Sequence, residues 1–320
     1  MKEKLPQGER PEVKIVGNAP KDLKEGLRKI YATLFGEGHF TDLPEALYIR
    51  VQEKEIQKEQ LDRDIIRACN DLTNEVLERN GSQPFDIPER NIHILSSEFY
   101  HQVHPTIGKV PAATLMERQA IIIDDETRKK LIEYASSILH EVFHLKGYFA
   151  EESSNTGTDK NEYTQIKYRV GLMISSLSKK DARLGRVHIK NFIGLNEAVV
   201  SIFESTHLQE LLERINSPDR NTEDFLLEIN NDDSYLPQIK VFRIIVESIA
   251  EAQEMTEEEV INLFYKAHND GHILHVAKLI EKTFGKGSFR FIGTMDKGEK
   301  SAGRVMDYLQ KQRRLRYKKE

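Results

Sequence analysis

The chain has 320 residues, 38% of them hydrophobic, with 47 Lys and Arg against 52 Asp and Glu and a net charge of −5. That length is ample for a real core, and the acidic balance gives no global reason to expect nucleic acid. No stretch approaches the roughly eighteen continuous apolar residues that a membrane span needs. The single cysteine, Cys69, excludes an intramolecular disulfide, and MKEKLPQGERPEVK at the start has no apolar run, so no cleavable signal peptide is expected and the expected compartment is cytoplasmic.

Residues 1–18 are polar and read as loosely ordered. A helix is expected over Lys21–Phe35, a short strand over Leu47–Val51, and a strong helix over Glu59–Arg79 that stops at Asn80-Gly81. Residues 19–89 thus form an N-terminal helical region. Asn91–Leu95 (NIHIL) and Gln119–Ile123 (QAIII) are short apolar runs bounded by polar residues, which favours strands. The second run leads through Asp124-Asp125, read as helix-capping residues, into a helix over Leu131–Phe149. A strand beside that helix would offer an edge for an extended peptide.

Glu151–Asn161 reads as a loop, and Tyr168–Ile174 with Arg186–Ile193 as two strands joined through Lys179–Arg183. Asn196–Leu212 is a second strong helix and closes a core spanning residues 90–215. Residues 216–320 form a C-terminal helical region, with helices over Leu236–Ala252, Thr256–Ala267 and Ile273–Phe284. The expected fold is α+β: predominantly helical, with a small mixed β-sheet beside the Leu131–Phe149 helix and helical flanks.

That helix carries the chemistry. Its apolar residues recur at three- and four-residue steps, and the string His140-Glu141-Val142-Phe143-His144 places two imidazoles one turn apart. Such spacing lets His140 and His144 ligate one Zn²⁺ ion, with Glu141 beside the first as general base for the zinc-bound water. A catalytic zinc takes three protein ligands. Glu197, in GLNEAVVSIFE near the start of the second helix, is the best candidate, with Asp159, Glu151, Glu152 and Glu204 as rivals. The metzincin extension fails because its last ligand position is Ala150. The Gly-Thr-x-x-Asp pattern of aspartate-ligand zincins fails because Asn161 stands where the aspartate belongs.

The HEVFH helix followed by NEAVVSIF resembles the gluzincin, thermolysin-like branch of the zincin metallopeptidases. The resemblance covers about residues 90–210. It implies His140, His144 and Glu197 as zinc ligands, Glu141 as general base and peptide-bond hydrolysis as the activity. One position departs: Ser201 stands where thermolysin-like chains have an aspartate that orients a zinc histidine, so that partner must be weaker or come from elsewhere.

The expected partner is a protein or peptide substrate. An oxyanion donor is expected near the site, with Tyr168, Arg169, His188 and His207 as candidates. A non-catalytic binding module and a zinc hydrolase of a non-peptide amide are the rival readings. His268, His272 and His275 read as capping or exposed residues at a helix boundary. The basic tail, Lys311–Lys319, reads as the solvated end of a terminal helix, a weak footprint for nucleic acid.

Overall fold

The computed structural model describes residues 14–17, 45–103, 110–115, 119–155, 164–178, 189–215 and 235–317. Within these the chain is mostly helical with two small sheets. The expected helix over 21–35 lies outside the described residues, as do the connection 179–183, His188 and Asp159.

Helix α1 (Glu45–Glu53) replaces the expected strand at Leu47–Val51. Leu47, Tyr48 and Val51 lie at one- and three-residue steps and pack on one apolar cluster, so burial of a helical stripe outweighs β-propensity. Helix α2 (Gln60–Arg79) buries Ile65, Cys69, Leu72 and Val76, and Gly81 follows it with φ 77°.

The three-stranded sheet has the order β2-β4-β3, with β2 (Ile92–Leu95) parallel and β3 (Ala112–Leu115) antiparallel to β4 (Ala120–Asp124). Alternate residues of β4 serve two cores. Ile121 and Ile123 join the main cluster, while Ala120 and Ile122 face α1 and α3 (Ser97–Val103). The strand expected at Gln119–Ile123 is therefore the central β4, fully buried over Ala120–Asp124, and the edges are β2 and β3, which corrects the expectation that β4 would offer an edge.

Asp124 caps a short 3₁₀ helix, Asp125–Lys129, by accepting from the Glu126 amide, and α4 (Leu131–Lys146) begins only after it, with no side-chain cap. The helix ends three residues before the expected Phe149, because Phe149 opens a strand. That five-stranded sheet has the order β1-β5-β6-β7-β8, from β1 (Lys14–Gly17), β5 (Phe149–Asn155), β6 (Thr164–Val170), β7 (Met173–Ser178) and β8 (Ile189–Asn191). Two expectations fail here. The start of the Glu151–Asn161 loop is strand β5, and Tyr168–Ile174 is two strands, folded back at Gly171 with φ 56°. An asparagine oxygen lies 2.5 Å from where a Gly171 Cβ would stand, so the turn requires glycine twice over.

Helix α5 (Ile193–Arg214) packs along α4, with Phe143 and Phe203 stacked at 3.8 Å between ring centroids. Helices α6 (Leu236–Gln253), α7 (Glu257–Asp270), α8 (Ile273–Phe284), α9 (Ser288–Ile292) and α10 (Glu299–Tyr317) follow. A continuous apolar cluster runs from Ile65 on α2 to Leu309 on α10, with α4 and α5 at its centre. Each large apolar side chain buried there contributes about 1.5–3 kcal/mol. No described helix is long and apolar enough to cross a membrane.

Candidate metal centre

Two helices bring the donors together. On α4, the apolar stripe Ala135, Ile138, Leu139 and Val142 fixes the helix's rotation in the core, which turns His140 and His144 toward α5. On α5, Ala198, Val199, Ile202 and Phe203 are buried, and Glu197 stands in the gap, itself 8% exposed. His144 Nε2 lies 3.1 Å from His140 Nε2 and 3.3 Å from Glu197 Oε2, and His140 Nε2 lies 3.7 Å from that same oxygen. Tetrahedral bonds of about 2.0–2.1 Å put neighbouring ligand atoms about 3.3–3.4 Å apart, so the observed triangle has the size of a metal's donor set. The three residues can hold a metal ion.

The outer partner of His140 is Glu204. Its Oε2 accepts from His140 Nδ1 at 2.7 Å, and its other oxygen accepts from the Ser136 hydroxyl. Glu204 lies seven residues after Glu197, two turns along the same face of α5. It therefore supplies what Ser201 cannot, and it acts on the ligand's far nitrogen rather than joining the donor triangle as a rival third ligand. With a proton committed to Nδ1, Nε2 presents its lone pair to the triangle.

The charges agree with that geometry. Burial alone would lower the pKa of His140, but Glu197 and Glu204 outweigh it and hold the imidazolium well above the ordinary histidine range. Burial would raise Glu197, yet His144, His140 and Lys297 hold its carboxyl well below the usual carboxylate range. A site so arranged favours positive charge at its centre, and a divalent ion meets that demand as a proton does.

Glu141, next to His140 on α4, faces strand β3. The Thr114 hydroxyl on β3 donates to its carboxylate, and the acid remains within electrostatic reach of His140 and Tyr235. Tyr235, the residue before α6, stacks its ring parallel to His140 at 6.4 Å with 10° between planes. Burial first, then the Glu197 charge, push its phenol up to about 12, against the lowering effect of Lys297, so it keeps its proton at neutral pH.

Of the candidate oxyanion donors named from the sequence, Arg169 and His207 have described side chains. Arg169 donates to the Gly271 carbonyl at the end of α7 and lies over the Tyr148 ring. His207 stacks on Phe203 within α5 and feels Arg79 and Glu75 of α2. Tyr168, Glu151 and Glu152 fall on strands of which only the backbone is described, and His188 falls outside the described residues. His268 is neither capping nor exposed: it is fully buried, stacked on Phe143, and its Nε2 has no partner among the described residues, while His272 and His275 are exposed.

Sequence reasoning missed Thr114, Tyr235 and Lys297, and no local pattern marks any of them. Glu204 could have been found by its two-turn spacing from Glu197. No protein-family model, curated protein or solved structure matches the chain, so the site stands on its own geometry.

Proposed function

We propose that the chain is a zinc-dependent metallopeptidase, a gluzincin-like member of the zincins, that hydrolyses peptide bonds at the His140, His144 and Glu197 centre. The observation that carries this reading is the donor triangle of metal-ligand size with the Glu141 carboxylate adjoining it. Two imidazoles and one carboxylate, leaving one tetrahedral position open, form a donor set suited to catalytic zinc. When bound, zinc supplies Lewis acidity to a carbonyl and acidifies a water molecule at the open position.

The chain's own residues do the rest. Glu204 keeps the proton of His140 on Nδ1, so that Nε2 faces the metal. Glu141 accepts a proton as the carbonyl is attacked and returns it to the departing amine. Thr114, donating to Glu141, fixes that carboxylate's direction and is itself on the edge strand β3. A peptide paired in extended form along β3 would therefore pass Glu141. Tyr235, still a phenol at neutral pH, is placed beside His140 as a donor for developing oxyanion charge.

The test is metal content by mass spectrometry together with peptide-library turnover, on the wild type and on Glu141→Gln. The wild type should carry zinc and cleave. Glu141→Gln should carry as much zinc and lose roughly 10²–10⁴-fold in turnover, the range of a general acid–base group. A variant that still cleaves at full rate would overturn the mechanism, and a wild type without metal would overturn the site. Zinc with no cleavage of any peptide would favour the binding-module reading.

A further inference from the structure

The C-terminal helices send one residue into the centre. Residues 293–298, between α9 and α10, are docked against the start of α5: the Phe192 amide donates to the Gly293 carbonyl at 2.8 Å, and the Gly194 amide to the Met295 carbonyl at 3.0 Å. Gln238 on α6 donates to the Asp296 carbonyl at 3.0 Å, and the Asp296 carboxylate accepts from the Gly298 amide at 2.7 Å and from the Ser301 hydroxyl. The approach is so close that a Cβ on Gly194 would stand 2.6 Å from the Asp296 carbonyl oxygen. A loop tied to helix α5 at both Phe192 and Gly194 has little freedom relative to Glu197, one turn further on.

From this loop Lys297 reaches three things at once. Its Nζ lies 3.0 Å from Glu197 Oε1, donates to the Tyr235 hydroxyl at 3.0 Å, and stands 5.2 Å from the centre of the Tyr235 ring. The oxygen it holds is the one that does not face the histidines; Oε2 makes those approaches. A free carboxylate can bind a metal through one oxygen or two, and two would consume the coordination position that hydrolysis needs open. An ammonium on Oε1 opposes that second bond by charge and by hydrogen bonding.

We infer that Lys297 is a positioning residue that restricts Glu197 to single-oxygen ligation and ties the Tyr235 hydroxyl beside it, so that the C-terminal helical region sets the coordination number of the centre. The inference rests on the metallopeptidase reading. It goes beyond that reading by assigning a role to a residue that touches neither substrate nor metal. Lys297 also offsets the charge of the Glu197 carboxylate without entering the donor triangle.

The full chain loaded with Co²⁺ in place of zinc reports coordination through its visible absorption, which is intense for four ligands and weak for five. The wild type should give the intense band. Lys297→Met should lose most of that intensity at full loading. Lys297→Arg, which restores a cation on Oε1, should recover the band. Lys297→Gln, closer to lysine in polarity, should behave as Lys297→Met and guards against a folding defect in that variant. Superimposable spectra for wild type and Lys297→Met would overturn this inference and leave the metal site standing. An Arg variant no better than Met would likewise overturn it. A wild type that takes up no Co²⁺ would overturn the site and this inference together.

Discussion

Among the described residues two clusters of histidine and carboxylate stand in or beside the core, and they are built on opposite logic. In the first, His93 on β2 directs Nδ1 to Glu55 Oε2 at 2.7 Å and Nε2 to the Tyr48 hydroxyl at 3.2 Å, while Lys58 pairs with the other oxygen of Glu55. Burial would raise Glu55, but His93 and Lys58 hold its pKa below the ordinary value. Every polar atom named there faces a group of complementary sense. At the second, two imidazole nitrogens and a carboxylate oxygen face one another within 3.1–3.7 Å, three atoms that can each offer a lone pair to one ion. Such a group calls for positive charge among its members, which a proton on His140 supplies and a divalent ion would supply in its place. A buried histidine beside a carboxylate is thus uninformative by itself; what its second nitrogen faces separates a closed structural network from a group that could hold a metal ion.

The sharpest break of that contrast is His140→Ala. Removing one corner of the triangle should take bound metal from about one ion per chain to none and abolish turnover, since two remaining ligands do not make a zinc site. Mass spectrometry of the purified variant checks it, and retained zinc would mean that the donors lie elsewhere. Next in size is Glu204→Ala, which leaves the triangle and removes only the acceptor on His140 Nδ1. Outer partners of this kind typically account for about 10–100-fold in metal affinity. Competition with a chromophoric chelator should show a loss in that range, and an unchanged affinity would reduce Glu204 to a hydrogen-bonded bystander.

How far the sequence foretold these features follows from where each signal resides. The motif on α4 and the carboxylate on α5 are legible because local spacing encodes them: a buried stripe orients each helix, and one-turn spacing puts both histidines on one side. Strand β5, FAEESSN, is not legible, because it is held by backbone pairing to β1 and β6 and lacks the apolar alternation that marks a strand in sequence. Strand β3 is four residues long and offers too short a run for its period to register. Tyr235 and Lys297 are the extreme case. Each reaches the centre from a segment between helices, at 38 and 100 residues beyond Glu197, and only the packing of α6 on α5, of α10 on α6 and of the 293–298 loop on the start of α5 delivers them.

The first cluster supplies the control with the smallest expected effect. His93→Ala leaves the Glu55 carboxylate without its partner on β2 and opens space beside Tyr48, whose ring meets His93 edge-on at 5.6 Å. Unpairing a buried polar group of this kind costs about 1–3 kcal/mol, which should appear as a lowered midpoint in denaturant with little change in slope. Metal stoichiometry and affinity should not move, because His93 bonds to Glu55 and Tyr48 and Glu55 is occupied by His93 and Lys58, none of them a member of the donor triangle. A loss of metal in His93→Ala would show that the two clusters are coupled through β2, β4 and the helix beside them, and the distinction drawn from their bonding would then be one of degree. A stability loss with unchanged metal would establish that the two histidine clusters differ in what they do, as they differ in what their second nitrogens face.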